Sequence, residues 1–113
     1  MYEDEGEVVG KQYVTGEVGT IDLLARRREG EELTDWLVIE LKRGTSGDSA
    51  VGQVMRYIGW VRRNLVEGDE DVRGLILAQS ADTSLRYSVA ELPRVDLKTY
   101  SVRFTLDDVP DVE

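Results

Sequence analysis

The sequence predicts an α/β domain with a mixed central β-sheet flanked by helices. Short apolar runs typical of strands occur on both sides of one longer amphipathic helix, in the order strand, strand, strand, helix, strand, short helix, strand. A strand–helix–strand crossover over 35–78 makes its two strands parallel and right-handed. With 113 residues, we expect one domain over 1–113, with flexible ends at 1–10 and 107–113.

The strands are predicted from apolar runs bounded by glycine and charged residues. The predicted spans are 11–15, 20–27, 35–42, 72–78 and 95–106. The third run is apolar on both faces until Glu40, so we place it at the centre of the sheet. We expect a charged loop around Gly30, over 28–34, between the second and third strands.

Two helices are predicted from helical spacing and capping residues. The longer helix follows the loop 44–48 and ends near residue 66. Its predicted core stripe is Val51, Val54, Met55, Ile58, Val61 or Arg62, and Leu65. A second stripe holds Gln53, Tyr57, Trp60 and Asn64. Asp82 or Thr83 caps the short helix, and Pro93 ends it.

The composition excludes several kinds of chemistry. The chain has no cysteine and no histidine, so thiolate or imidazole metal ligands and the usual serine or cysteine triads are excluded. Because no apolar stretch is long enough to span a membrane and no secretory signal is found at the start, we expect a cytoplasmic protein. The net charge of −9 with few lysines is typical of a halophilic protein in a high-salt cytoplasm, where screening lengths fall to roughly 3 Å at 1 M salt. The alternative is an acidic protein that binds no nucleic acid.

The candidate site combines a charged triplet with an upstream aspartate. Side chains alternate along a strand, so Glu40 and Lys42 share a face and Leu41 points away. Asp22 and Glu40 are predicted to bind Mg²⁺ together with the Leu41 carbonyl, and Lys42 to orient water or neutralise charge on a phosphate. Gln53 reaches the site from the first turn of the helix. The alternative is an ordinary exposed Glu–Lys pair at a strand end.

In order along the chain, these motifs resemble the PD-(D/E)xK nuclease superfamily. More narrowly, they resemble the C-terminal catalytic domain of the NucS (EndoMS) endonucleases of archaea and actinobacteria. The resemblance covers about 8–106, nearly the whole chain. The similar segments are 17–25, 38–44, 51–61, 72–78 and 85–87.

The resemblance implies a restriction-endonuclease-like core and a Mg²⁺- or Mn²⁺-dependent endodeoxyribonuclease acting in DNA repair. Mismatched, branched or single-stranded DNA is the implied substrate, and a homodimer is the implied assembly. The residues equivalent to Asp22, Glu40 and Lys42 are catalytic in that family, and the equivalent of Gln53 assists. The first helix of the usual fold is expected to be missing from this sequence.

Five further residues are candidates for the site or for DNA contact. Glu17 is a possible acidic neighbour in place of the one that the missing helix supplies, although a turn residue beside glycine is commonly exposed. Tyr57 and Trp60 are candidates for stacking on a base, or for packing against the sheet or a dimer partner. Arg43 and Arg56 are candidate phosphate contacts.

Two readings from other classes stay open. The chain can be a non-catalytic nuclease-fold module for DNA binding or dimerisation, or a fragment of a longer NucS-like protein. The complete set of site residues favours the enzyme, because a degenerate copy commonly loses one of them. The C-terminal residues lack the glutamine-and-aromatic pattern of a sliding-clamp ligand, so no clamp partner is expected.

Overall fold

A computed structural model describes residues 6–42 and 48–110 as a five-stranded mixed sheet with two helices. The elements are β1 (Gly6–Val14), β2 (Thr20–Glu29), β3 (Glu32–Leu41), α1 (Asp48–Asn64), β4 (Val72–Ala78), α2 (Thr83–Ala90) and β5 (Val95–Thr99). Strands lie in the sheet in chain order, with β1–β2 and β2–β3 antiparallel and β3–β4 and β4–β5 parallel. The predicted α/β class, the mixed sheet and the parallel crossover are confirmed. In this part of the chain, no helix is long and apolar enough to cross a membrane.

The antiparallel strands are longer than the sequence indicated. β1 begins at Gly6 instead of residue 11, and the predicted loop 28–34 is wrong, because β2 and β3 continue to a tight turn. Glu29 pairs with Glu32 across this turn, and Gly30 has a φ of 63°, which glycine adopts without strain. Charged residues can form the ends of these two strands because the outer part of an antiparallel hairpin is exposed to water, where their side chains stay solvated.

The final strand is shorter than predicted. β5 ends at Thr99, and 100–110 continue without regular secondary structure, so the predicted strand 95–106 is wrong in its second half. Thr99 pairs with Ala78, the last residue of β4, and the Tyr100 N–H donates to the Ala78 carbonyl at 2.9 Å. An alternating pattern forms a strand only where a neighbour accepts its backbone hydrogen bonds, and β4 ends there.

The helix α1 packs on the sheet with a stripe slightly rotated from the predicted one. Its buried residues are Ala50, Val54, Tyr57, Ile58 and Val61. Met55 was predicted to be buried and is 42% exposed, whereas Tyr57, predicted on the second stripe, is 5% exposed. A tyrosine can bury its ring while its hydroxyl meets a polar region, and the hydroxyl of Tyr57 lies close to the candidate site.

A glycine in β4 sets how closely α1 approaches the sheet. A Cβ atom at Gly74 would lie 2.9 Å from both Ile58 Cδ1 and Val54 Cγ2, and 3.3 Å from Val95 Cγ2. Such a distance to three buried side chains leaves no room for a methyl group. Gly74 therefore allows the helix that carries Tyr57 to lie directly on the sheet.

The remaining helix is capped as the sequence predicts. The Asp82 side chain accepts a hydrogen bond from the Leu85 N–H at 2.7 Å, which satisfies one of the free donors of the first turn. Leu85 and Val89 are buried and join the same hydrophobic cluster as α1. A second, smaller cluster contains Ala25, Leu37 and Ile39 and no helix residue.

An arginine network closes the end of the sheet opposite to Glu40. Arg26 lies over the Trp36 ring at 4.3 Å and donates to the Thr34 carbonyl at 2.5 Å and to the Glu70 carboxylate. The Trp36 indole N–H donates to the same carboxylate at 3.1 Å. Although burial raises the pKa of Glu70, hydrogen bonds from the Glu67 N–H and Trp36, with the charge of Arg26, bring this pKa below its ordinary value.

Candidate active site

The site lies where β2 separates from β3. The β2–β3 pairing begins at Leu23, which faces Ile39, while the two preceding paired residues of β2 stay in the β1 ladder, with Ile21 facing Tyr13. In the described part of the sheet, β2 therefore follows β1 away from β3 at this end. The separation opens a gap beside the last residues of β3, and Asp22 lies on its β2 side.

The Asp22 side chain bridges this gap. Its Oδ2 accepts a hydrogen bond from the Leu41 N–H at 2.9 Å, in place of a ladder bond between the strands. The following N–H, that of Lys42, donates to the Leu77 carbonyl of β4 at 2.8 Å. In an extended strand, the N–H and C=O of one residue point to the same side. The Leu41 carbonyl therefore points towards β2 and Asp22, as its predicted role as a metal ligand requires.

Glu40 completes a buried acidic pair with Asp22. Glu40 is 3% exposed and Asp22 is 9% exposed. Two carboxylates in such positions are costly to desolvate unless donors, a cation or both compensate them. The Leu41 N–H is one such donor, and Lys42 follows directly, half-buried, after β3. The arrangement is that of a site prepared for positive charge.

Tyr57 lies on α1 close enough to Asp22 and Glu40 for their charges to change its pKa. Burial raises the pKa of Tyr57, the nearby charges of Glu40 and then Asp22 raise it further, and Arg56 lowers it to a smaller extent. The hydroxyl therefore keeps its proton at neutral pH and acts as an O–H donor. The structure thus brings Tyr57, a possible site residue, within electrostatic reach of both carboxylates.

A glycine loop packs over the Tyr57 hydroxyl. A Cβ atom at Gly19 would lie 3.2 Å from the Tyr57 Oη, and Gly19 has a φ of +107° that other residues rarely adopt. The Thr15 hydroxyl donates to the Gly19 carbonyl at 2.6 Å and accepts from the Val18 N–H at 3.1 Å, closing the loop. Sequence reasoning missed this contact, and the pair of glycines shortly before Asp22 was its available signal.

The donor set fits a small divalent cation. Among the described residues, no group of three or more His, Cys, Asp or Glu side chains is placed to hold a metal ion. Asp22, Glu40 and the Leu41 carbonyl offer hard oxygen ligands, of which only two are carboxylates. Mg²⁺ is commonly bound by one or two carboxylates together with water and substrate phosphates. The site fits Mg²⁺ or Mn²⁺ of this kind, and the absence of His and Cys from the chain disfavours zinc.

The other predicted residues lie at varied distances from this centre. Gln53 is half-buried on α1, one turn before Tyr57 and on the same side of the helix. Glu17 is exposed in the glycine loop, and Arg56 is exposed on α1. Their roles stay predictions. Arg43 lies outside the described residues.

Trp60 is engaged in packing. Its ring meets the Tyr13 ring of β1 edge-on, with centroids 6.1 Å apart and an angle of 61° between the planes. Trp60 is half-buried and packs against the larger cluster. This contact favours the packing interpretation that the sequence left open, and base stacking by Trp60 stays a prediction.

The fold and the site together define a class, that of α/β domains with a carboxylate pair at a split in a mixed sheet. Comparison with known families specifies this class further. The family model described as the endonuclease NucS C-terminal domain matches residues 2–99. The chain belongs to this family.

Relatives and solved structures agree with this assignment. The chain is 31% identical over 65 residues to the endonuclease NucS of Methanocaldococcus jannaschii, which covers 58% of this chain and 22% of the relative. Its fold is similar to that of a repair endonuclease from Pyrococcus abyssi, with a TM-score of 0.67 and 20% identity over 87% of this chain and 39% of the other. It is also similar to a structure described as an EndoMS–dsDNA complex, with a TM-score of 0.69 and 22% identity over 92% and 40% of the two chains. The chain thus spans less than half the length of these relatives.

Proposed function

We propose that this chain is a metal-dependent endodeoxyribonuclease domain that hydrolyses phosphodiester bonds in DNA repair. The observation that carries the proposal is the Asp22–Leu41 hydrogen bond, because it holds one carboxylate and a backbone carbonyl at the same gap. Buried Glu40 adds the second carboxylate. Family membership supports the reaction class, since the relatives are endonucleases and one is a repair endonuclease.

In this proposal, Asp22, Glu40 and the Leu41 carbonyl hold Mg²⁺ or Mn²⁺. When bound, the ion supplies a water of lowered pKa and polarises a phosphate oxygen. The two carboxylates also repel a phosphate that arrives without a cation, so the acidic pair makes DNA binding depend on the metal. Burial strengthens both the attraction of the carboxylates for the cation and their repulsion of the phosphate, because the local dielectric constant is lower than in water.

Three side chains act on the phosphate and the attacking water. The Lys42 ammonium orients the water or neutralises the charge that develops on the phosphate. The Tyr57 hydroxyl, which keeps its proton, donates a hydrogen bond to a phosphate oxygen or to the water. Gln53, one turn earlier on α1, orients the same groups through its amide.

The proposed partners are DNA and a second copy of the chain. The solved relative in complex with double-stranded DNA supports the first, and mismatched, branched and single-stranded DNA are the candidate substrates. Arg43 and Arg56 are the proposed phosphate contacts, and short-range contacts of this kind persist at high salt. Glu17 is proposed as an additional acidic neighbour at the mouth of the site.

A second function remains a candidate. The chain spans about two-fifths of its solved relatives, so more than half of each relative lies outside the matched region. A domain that binds DNA or a second copy but needs another chain to cleave is consistent with this coverage.

The test is DNA cleavage by the purified chain at high KCl with Mg²⁺ or Mn²⁺. Fluorescent mismatched, branched and single-stranded DNA are compared for the wild type, Asp22→Ala, Asp22→Asn and Lys42→Ala. We expect metal-dependent cleavage that the three variants abolish, with cooperative melting retained. Asp96→Asn is the matched control, because Asp96 lies on β5, is exposed and pairs only with Arg73, at 3.7 Å, in the described ion pairs.

Two results would change the conclusion. Equal cleavage rates in wild type, Asp22→Asn and Lys42→Ala would refute the catalytic assignment. A folded wild-type chain that binds DNA without cleaving it would favour the non-catalytic module. Calorimetric titration of Mn²⁺ into the wild type and Asp22→Asn measures metal binding without DNA. It therefore tests the metal site separately from cleavage.

A further inference from the structure

The segment after β5 exposes a series of large apolar side chains. Residues 100–110, here called the tail, carry Tyr100, Val102, Phe104, Leu106 and Val109, which are 42%, 59%, 87%, 96% and 85% exposed. Several large apolar side chains exposed within one short segment are typical of a segment that binds a partner. The radius of gyration of 17.0 Å, against about 13 Å for a compact chain of this length, agrees with a segment that extends from the core.

An apolar groove lies between α1 and the connection from α2 to β5. Its volume is about 270 Å³. The apolar lining consists of Met55, Ile58, Gly59, Leu92, Pro93 and Val95. Met55 is 42% exposed, and a Cβ atom at Gly59 would meet no atom within 4 Å. The groove is therefore open on its α1 side, and its flexible methionine can adapt to an inserted side chain.

The rim of the groove is positively charged. Arg62 and Arg94 line the groove and contact the same carboxylate, that of Asp71, the Arg62 pair being 3.9 Å apart. Two guanidinium groups against one carboxylate leave one net positive charge, and the arginine side chains are 45% and 51% exposed. On a chain of net charge −9, such a local excess of positive charge selects an acidic partner.

The tail has the chemistry that this groove lacks. Phe104 and Leu106 supply large apolar side chains, and Asp107 and Asp108 follow them directly. We propose that the tail of one copy inserts Phe104 and Leu106 into the groove of a second copy, where the two aspartates face the arginines of the rim. Each copy has one tail and one groove, so two copies related by a two-fold axis exchange their tails in two equivalent contacts and form a closed dimer.

A second copy is favoured over the chain's own tail because of where the tail starts. β5 begins with Val95, at the groove, and runs away from it to Thr99. Phe104 and Leu106 are 87% and 96% exposed, and no residue of the tail lines the groove, so the tail does not fold back into the groove of its own copy. A neighbouring copy accepts the extended tail without a reversal. The inference rests on the proposed dimer and is independent of the proposed catalysis.

The test is sedimentation velocity of the full chain at high KCl over a range of concentrations. One variant, Phe104→Ser with Leu106→Ser, removes the apolar side chains of the tail. A second, Gly59→Leu, is designed to fill the groove from a helix position where an added Cβ atom meets no atom within 4 Å and where leucine favours the helix. Tyr87→Ser is the control, since Tyr87 is 74% exposed on α2 and does not line the groove.

We expect a wild-type dimer whose dissociation constant rises at least tenfold in each variant and is unchanged in the control. A mixture of the two variants should recover part of the association, because it combines one intact tail with one intact groove. A monomeric wild type at all concentrations would refute both the dimer and this contact. A dimer that tolerates Gly59→Leu would refute the contact alone, and cleavage activity is not needed for either result.

Discussion

Substitution of Gly74 by alanine tests whether α1 is held directly against the sheet. The added Cβ atom would lie 2.9 Å from Val54 Cγ2 and from Ile58 Cδ1. Real Cβ atoms are essentially never found this close to another heavy atom, and both neighbours are β-branched side chains on a helix with little rotamer freedom. The helix must therefore move outward by several tenths of an ångström.

The magnitude follows from the overpacking of a buried contact. Such insertions destabilise by about 1–3 kcal/mol, and in a domain of 113 residues this corresponds to a fall in Tm of roughly 4–12 °C. Because α1 also carries Gln53 and Tyr57, any cleavage activity should fall together with stability. The measurement is thermal and urea unfolding at one fixed protein concentration and at high KCl, since association changes apparent stability.

The matched control is Gly52→Ala on the same helix. A Cβ atom there would meet only Arg56 Nη1, at 3.4 Å, the end of a flexible side chain. Alanine is better than glycine in a helix interior by roughly 0.5–1 kcal/mol, so this variant should be more stable than wild type. A Gly74→Ala variant that melts at or above the wild-type temperature would refute the close seating of α1 on β4.

Two further predictions concern ionisation and have opposite signs. Burial and the charges of Glu40 and Asp22 raise the pKa of Tyr57 in the fold above its ordinary 10.0. Its contribution to the free energy of unfolding is therefore present below pH 10 and is lost as the pH rises above it. Between about pH 9 and 11, Tyr57→Phe should lose less of its free energy of unfolding in urea than the wild type does. Equal alkaline slopes would contradict the assignment. The pKa of Glu70 is lowered from 4.5, so its contribution to the free energy of unfolding is present above pH 4.5 and is lost as the pH falls. Glu70→Gln should be less stable than the wild type at neutral pH, and its free energy of unfolding should fall less than that of the wild type as the pH is lowered below 4.5. If the free energy of unfolding of Glu70→Gln falls in acid as steeply as that of the wild type, the contacts of Glu70 with Trp36 and Arg26 do not lower its pKa.

Local patterns were sufficient for the elements whose signals are local. The strand 72–78 was predicted with the bounds that the structure shows, because a short apolar run between an acidic loop and a capped helix has one interpretation. Position alone indicated Asp82 or Thr83 as the cap of the short helix, and the structure shows that the cap is Asp82. The helical spacing located α1, but it did not distinguish Met55 from Tyr57, since the two stripes differ by a small rotation.

The chain composition and the order of its motifs by themselves determined the α/β class, the family and the candidate residues Asp22, Glu40 and Lys42. Only the tertiary structure decided that β2 leaves β3 at Asp22, that the aspartate bonds to the Leu41 N–H, and that β5 stops where β4 ends. The physical reason is that motifs and periodicity are properties of neighbouring residues. Strand pairing and contacts between side chains depend on which distant segment of the chain can form hydrogen bonds with the backbone N–H and C=O groups or pack against the side chains.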